Sequence, residues 1–173
     1  MASYPYSKQA FLPNLLLLLA LTVIALLLTS STSVDPALGA AVMLLLLAAV
    51  LVLGVSPILT SHELLDDALV LRQGWYFRAV IPLSNILGAD LVEFGPRKVG
   101  VSFRLAGPVV SVTTRKHNVI ELTLRRPQSF AWAMGKRADH VIFDAVDDRR
   151  LLENLRRSFS PVEADGARAK LWD

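Results

Sequence analysis

Two long apolar runs near the start of the chain limit what it can fold into. Thr22 is the only polar residue between Leu15 and Leu28, and no charged residue lies between Ala37 and Val55. A helix rises about 1.5 Å per residue and the hydrocarbon core of a bilayer is about 30 Å thick, so each run is about long enough to cross it. The sequence therefore predicts a transmembrane helical hairpin over residues 11–60.

The polar residues 29–35 are predicted to form the turn of this hairpin. Asp35 supplies an acceptor that suits the N-cap of a helix, and Pro36 lacks the N–H that the first helical position leaves unpaired. The second helix is therefore expected to begin near Pro36. Ser56 and Pro57 are expected to end it.

The charges that flank the two runs predict an orientation. The turn contains no Lys or Arg, whereas Lys8 precedes the first run and Arg72 and Arg78 follow the second. Cytoplasmic loops carry an excess of Lys and Arg, so both termini and the domain after the hairpin are predicted to lie in the cytoplasm, with the chain spanning the cell membrane twice. Neither run contains an ionisable residue of the kind that ion and proton pathways need, which favours an anchor.

A second interpretation treats residues 1–33 as a cleaved signal peptide, because Lys8 precedes an apolar core and small residues follow it. That apolar core is long for a signal peptide, but cleavage would leave one span and export the remaining domain. If the hairpin is retained, Tyr4 and Tyr6 in the short segment 1–10 are expected to be aromatic anchors at the membrane interface.

Residues 61–160 have the size of one small domain, and residues 161–173 are expected to be a loose tail. Lys8 and Asp35 are the only charged residues before His62, so this part carries the whole formal net charge of +3. That value is too small to indicate nucleic-acid binding. The chain has no Cys, which excludes disulfides and thiolate metal sites.

Short alternating runs punctuated by Gly and Pro predict about seven strands in this domain. Residues 68–72 and 75–81 are expected to pair across a tight turn at Gln73 and Gly74, and Pro127 is expected to end a strand over residues 119–124. Residues 147–159 predict an amphipathic helix capped by an Asp, with one apolar face formed by Leu151, Leu152, Leu155 and Phe159. The predicted class is an α+β membrane protein: a helical hairpin followed by a small antiparallel barrel or sandwich with a C-terminal helix.

The order of two spans, LVLRQG at residues 69–74, IPLSNI at residues 81–86 and a final Asp-Asp before a Leu-rich helix resembles the bacterial and archaeal membrane proteins that carry a PH-like domain. This resemblance implies a PH-like barrel with a C-terminal helix and no enzyme activity. Eukaryotic PH domains bind inositol phosphates through cations on a long loop between their first two strands. The corresponding turn here is short, so that site is not carried over.

Candidate contacts with lipid or with a partner are three dibasic turns and one tyrosine: Arg97, Lys98, Arg115, Lys116, Lys136, Arg137 and Tyr76. Each cation near an anionic headgroup surface contributes on the order of 1 kcal/mol, although the same residues also suit solvated loops. Tyr76 is expected on the strand face that points away from the barrel interior, where a partner, the membrane or ordinary packing would cover it.

No catalytic, metal or cofactor site is predicted, because the three histidines show no ligand spacing and the chain has no Gly-rich phosphate loop. The sequence therefore favours a membrane-anchored, non-catalytic module that binds a lipid or protein partner at the cytoplasmic face, including a second copy of itself. The alternative is an accessory subunit of a membrane transporter or secretion complex, with the hairpin as the interacting element.

Overall fold

The computed structural model describes residues 2–31, 35–103, 107–131 and 135–159, and the chain divides into two compact units. The first, here called the hairpin unit, comprises residues 8–60 together with residues 73–76. The second, the sheet domain, contains residues 2–7, 61–72 and the chain from Phe77 onwards. The hairpin is therefore an insertion near the start of the sheet domain, which makes that domain discontinuous in sequence.

The hairpin unit consists of two long helices, as the apolar runs predict. A 3-10 turn, Lys8–Phe11, leads into α1, Leu12–Ser31. Helix α2, Pro36–Ala49, continues through a π-helical segment, Val50–Val55, into α3, Ser56–Leu59.

The predicted start of the second helix is confirmed, and its predicted end is wrong. Asp35 Oδ1 accepts a hydrogen bond from the Ala37 N–H at 2.7 Å, which makes Asp35 the N-cap. Pro57 does not end the helix, which runs on to Leu59. The π-helical register before Pro57 accommodates a residue that lacks an N–H.

Small residues bring the two helices of the hairpin unit together. A Cβ placed on Gly54 would lie 2.7 Å from Leu15 Cδ1, and one placed on Gly39 would lie 3.5 Å from Thr29 Cγ2. The absence of a side chain at Gly54 allows the closer approach, whereas a Cβ at position 39 would make ordinary van der Waals contact. The rest of the helical surface is largely exposed in the single chain, since only 6% of the most apolar window of the first helical segment and 17% of that of the second is buried.

The described residues of the chain contain nine strands, two more than the sequence predicts, in two sheets. The first sheet has the order β1-β2-β3-β4, with the strands Ala2–Tyr4, His62–Leu64, Ala68–Gln73 and Phe77–Pro82. The second sheet consists of β5, Ile86–Phe94; β6, Gly100–Phe103; β7, Val109–Thr113; β8, His117–Phe130; and β9, Lys136–Phe143. Its strands lie in the order β5-β8-β9-β7-β6.

The N-terminal residues belong to the core of the sheet domain and are not the exposed anchors that the sequence suggests. Tyr4 pairs with His62 in the antiparallel β1–β2 ladder, and its hydroxyl accepts a hydrogen bond from Asn154 Nδ2 at 2.5 Å. Tyr6 is only 1% exposed. The prediction failed because the partners of these tyrosines are more than 50 residues away in sequence.

The second sheet is mixed, whereas the sequence predicts an antiparallel one. Strands β7 and β9 run parallel, with Val109 opposite His140 and Val112 opposite Phe143. Alternation of apolar residues reveals which face a side chain occupies but not the direction of the neighbouring strand. Pro127 also lies within β8, where a register shift between Thr123 and Gln128 accommodates it.

The C-terminal helix α4, Asp148–Ser158, is confirmed as an amphipathic element. Leu151, Leu152 and Leu155 are buried, and Phe159, directly after the helix, is 7% exposed. The predicted capping differs in detail: Asp147 occupies the N-cap position without a side-chain cap bond.

Candidate functional site

Two loops that are separate in sequence meet at one end of the β5–β8 pair. Phe94, the last residue of β5, lies opposite His117, the first of β8. The Gly95 N–H donates to the Lys116 carbonyl at 2.7 Å, which holds the loop after β5 against the turn before β8. The structure thereby brings the predicted cations Arg97 and Lys98 to the same end of the sheet as Lys116.

Glycine and asparagine allow this junction to form. A Cβ on Gly95 would lie 3.0 Å from Val119 Cγ1 and 3.2 Å from the Lys116 carbonyl oxygen, so a side chain at position 95 would crowd the contact between the loops. Asn118 adopts a positive φ of 53°, a conformation that asparagine tolerates better than most residues. Gly95 and Asn118 thus permit the close contact between the two loops.

The resulting cation–aromatic surface consists of Phe94, Arg97, Lys98, Lys116 and His117, all of which are exposed. Phe94 is 68% exposed, and its ring meets the His117 ring edge to face, with 5.5 Å between the centroids. An exposed ring beside three cations combines apolar contact with attraction to anions. Such a combination can attract anionic groups and offer them an apolar contact.

Arg115 faces a different environment from its neighbour Lys116. Its Nη2 donates to the Ala145 carbonyl at 2.6 Å and to Asp148 Oδ2 at 2.9 Å, and its Nε lies 3.8 Å from Asp144 Oδ2. These contacts tie the β7–β8 turn to the start of α4. We therefore do not count Arg115 in the cation–aromatic surface, because its guanidinium contacts groups of its own domain. Its predicted contact with lipid or with a partner stays a prediction.

The third dibasic turn lies far from the other two. Lys136 pairs with Phe130 at the end of β8 opposite His117. Arg137 is exposed there, and the Lys136 side chain lies outside the described residues. The cation–aromatic surface therefore takes its charge from Arg97, Lys98 and Lys116.

Tyr76 is half-buried and lies in the turn between β3 and β4, so the predicted strand starting at Trp75 is wrong at its first two residues. The neighbouring Trp75 is the more open side chain, with 63% of its surface exposed. Because residues 74–76 form a turn, the side chains of Trp75 and Tyr76 do not alternate between the two faces of a strand. Sequence alternation therefore selected the less exposed aromatic of the pair.

A buried histidine links three segments of the sheet domain. His62 Nδ1 accepts a hydrogen bond from the Arg72 backbone N–H at 3.2 Å, so its Nε2 carries the proton and donates to the Asp144 carbonyl at 3.1 Å. The ring is 1% exposed and lies between Tyr6 and Phe143. Burial lowers the pKa of His62 to about 4, so the ring is neutral at physiological pH.

Asp144 holds the turn that leads to the cation–aromatic surface. Its carboxylate accepts from the Thr114 backbone N–H at 2.5 Å and from the Thr114 hydroxyl at 2.6 Å. Burial raises the pKa of Asp144, while the Thr114 bonds and the Arg115 charge oppose that change. No local pattern in the sequence predicts this network, because His62 and Asp144 are 82 residues apart.

The sheet domain has clefts lined by both polar and apolar residues. One has a volume of about 520 Å³ and is lined by Val80, Pro82, Ser84, Asn85, Arg125, Arg126, Pro127 and Gln128. Several of its polar groups bond to backbone, as Gln128 Nε2 does to the Val80 carbonyl and Asn85 Nδ2 to the Arg126 carbonyl. Among the described ranges, no group of three His, Asp or Glu side chains is placed to hold a metal ion.

Comparisons of the chain with protein-family models, with curated proteins and with solved structures find no match. The resemblance to PH-like membrane proteins therefore stays a prediction. Function is inferred below from the residues and their geometry.

Proposed function

We propose that this protein is a membrane-anchored, non-catalytic module of PH-like type that contacts anionic lipid headgroups through its cation–aromatic surface. The observation that carries the proposal is the backbone junction of the two loops, which brings Arg97, Lys98 and Lys116 to the same end of the sheet as the exposed Phe94. Three cations near an anionic surface contribute on the order of 1 kcal/mol each. A protein partner with an acidic surface is the competing outcome of the test.

Membrane insertion is supported by the exposure of the two helices. Each helical segment has 24 residues, long enough to span a bilayer, and little of either is buried within the chain. A core helix of a soluble protein would be mostly buried. So large an exposed apolar surface favours lipid as its surroundings.

Hydroxyl groups in the helices also suit an apolar environment. Thr22, Ser31 and Ser56 donate to the carbonyls four residues earlier, at 2.8, 2.7 and 2.6 Å. Each hydroxyl proton therefore has a partner within its own helix. This arrangement avoids the cost of an unpaired polar group in hydrocarbon.

Retention of the first helix is favoured over cleavage of a signal peptide. Cleavage would remove β1, which pairs with β2, and Tyr6, which is buried in the sheet domain. The segments that enter and leave the hairpin, ending at Ser7 and beginning at Ser61, both belong to the sheet domain. In a membrane, both would lie on the same side, and the absence of Lys and Arg from the connecting turn favours the cytoplasmic side.

An anchor is favoured over an accessory subunit that uses its hairpin to bind another membrane protein. Gly39 and Gly54 face Thr29 and Leu15 of the same hairpin. They are therefore used within the chain. Purification in a mild detergent distinguishes the two functions, because a stoichiometric membrane partner would support the accessory subunit.

The lipid contact can be tested with a dye at the proposed surface of the full-length protein. The chain has no Cys, so Val99→Cys, at a position 43% exposed, allows labelling at a single site beside Arg97 and Lys98. In anionic vesicles the emission should shift to the blue relative to neutral vesicles. The shift should weaken with salt as the screening length falls from about 10 Å at 0.1 M to about 3 Å at 1 M.

Charge reversal supplies matched controls for this measurement. Arg97→Glu with Lys98→Glu, and separately Lys116→Glu, should reduce the shift. Arg137→Glu changes an exposed cation of β9 that pairs with Ser129, near the end of β8 that is opposite His117, and should leave the shift unchanged. Equal emission in anionic and neutral vesicles at low salt would overturn the lipid proposal and favour a protein partner.

The topology can be tested by the same labelling chemistry. Ser31→Cys lies at the end of α1 and Ser84→Cys lies in the sheet domain, and both positions are exposed. In intact cells a membrane-impermeant maleimide should label only the first. Labelling of both from outside would mean that the domain is exported.

A further inference from the structure

The turn between β3 and β4, residues Gly74–Tyr76, is attached to the end of the second helix. The Trp75 N–H donates to Ser56 Oγ at 3.0 Å, and the Gly74 N–H donates to Thr60 Oγ1 at 2.8 Å. These residues belong to the same compact unit as the hairpin. The turn is therefore fixed at the level of the last helical turn.

Glycine at position 74 is required for this attachment. Its φ is +64°, and a Cβ there would lie 2.6 Å from Ser56 Oγ and 2.7 Å from Tyr76 Cε1. The Ser56 hydroxyl in turn donates to the Val52 carbonyl at 2.6 Å. A chain of hydrogen bonds thus runs from the helix backbone through Ser56 to the Trp75 backbone.

The position of Ser56 along the helix gives the depth of the turn. About 20 residues separate Pro36 from Ser56, which corresponds to about 30 Å of helix. This length equals the thickness of the hydrocarbon core. If Pro36 lies at one boundary of that core, Ser56 and the Trp75 backbone lie at the other.

Trp75 has the chemistry that this depth favours. Its side chain is 63% exposed, while its backbone is bonded to the helix. The indole combines a large apolar surface with one N–H donor, and tryptophan is enriched where apolar and polar layers meet. The neighbouring Tyr76 is half-buried, which leaves Trp75 as the open side chain of the turn.

We propose that Trp75 inserts into the lipid interface beside the second helix and fixes the depth of that helix in the bilayer. This inference rests on the membrane insertion proposed above. The occupant is lipid, because the turn is bonded to the end of an exposed apolar helix long enough to span a bilayer. A protein partner covering the indole is an outcome that the test separates.

Fluorescence of a protein with one tryptophan measures this depth. Trp132→Phe and Trp172→Phe in the full-length chain leave Trp75 as the sole indole. In vesicles with brominated acyl chains, Trp75 emission should be blue-shifted and quenched more by bromine near the headgroups than by bromine near the bilayer centre. Aqueous iodide should quench it weakly.

A second variant separates failure of this inference from failure of membrane insertion. Leu45→Trp in a chain with all three native tryptophans changed to Phe places an indole near the middle of the second helical segment, at a position 71% exposed. Deep bromine should quench it most. If it is quenched but Trp75 is quenched only by iodide, or by neither agent, the Trp75 inference is overturned and membrane insertion stands. If bromine quenches neither indole, both proposals fail.

Discussion

Leucine side chains are buried in the sheet domain and exposed in the hairpin unit. In the sheet domain, Leu69, Leu71 and Leu155 are 0% exposed, whereas in the hairpin Leu44 and Leu45 are 68% and 71% exposed. The sheet domain buries its apolar side chains against one another. The hairpin leaves them exposed in the single chain, on two helices that are long and apolar enough to span a membrane.

Polar groups differ between the units in the same manner. Hairpin hydroxyls bond within one helical turn, as Thr22 does to the Leu18 carbonyl. In the sheet domain, His62 and Asp144 join segments that are distant in sequence. Local bonding is sufficient for a helix in an apolar solvent, while long-range bonding specifies how sheets and helix assemble.

The largest expected effect is on the N-terminal strand, which tests whether the sheet domain includes residues before the hairpin. Tyr6→Ala removes a ring that is 1% exposed and lies 5.1 Å from the His62 ring. The free energy of unfolding of the sheet domain should fall by about 3–5 kcal/mol. Hydrogen exchange of β2 and β3 amides in the full-length protein measures this loss. A fall below about 0.5 kcal/mol would show that the N-terminus is not part of the core.

A pair of leucine substitutions tests the contrast between the units directly. Leu155→Ala, in the buried face of α4, should lower the stability of the sheet domain by about 2–5 kcal/mol. Leu45→Ala, in the exposed surface of the hairpin, should leave it unchanged. Denaturant unfolding of the two variants in the same detergent gives the comparison. Similar effects would mean that α4 does not pack on the sheets.

The pH dependence should reside in the sheet domain. Burial lowers the pKa of His62 from 6.5 to about 4. Between these two pH values, His62 is protonated in the unfolded chain and neutral in the folded domain. Stability should therefore fall by roughly 3 kcal/mol between pH 6.5 and pH 4, and this contribution should not change further below pH 4.

The matched variant for this measurement is His62→Gln, which keeps a donor and an acceptor but does not titrate. The raised pKa of Asp144 changes stability in the opposite direction, because its protonation at low pH favours the folded state. The difference between the wild-type and His62→Gln unfolding curves isolates His62. Equal pH slopes in the two proteins would contradict a buried, neutral histidine.

The smallest effect is expected within the hairpin. Gly54→Ala places a Cβ 2.7 Å from Leu15 Cδ1, the end of a flexible side chain, and 3.5 Å from the Leu15 Cα. Rotation of Leu15 should relieve the contact at a cost below about 1 kcal/mol. Thermal unfolding followed by circular dichroism in detergent measures it. A loss of stability comparable to that of Leu155→Ala would mean that the helices of the hairpin are packed as tightly as the core of the sheet domain.

The helical elements could be predicted from local sequence patterns. Continuous apolar runs, Asp35 before Pro36 and the spacing of Leu151, Leu152 and Leu155 predict two apolar helices and the amphipathic α4, because helices are specified by neighbours in sequence. The sequence also marked Arg97, Lys98 and Lys116 as loop cations. It could not show that they lie at one end of a sheet.

The contacts between segments that are distant in sequence could be seen only in the folded chain. Local sequence patterns do not predict which segments become partners. Examples are the pairing of β1 with β2, the parallel β7–β9 pair and the contact of Gly95 with Lys116. Tyr6 and His62 are buried for the same reason. A strand pattern fixes the face of each side chain, but the neighbour of a strand is chosen by the free energy of the whole assembled core.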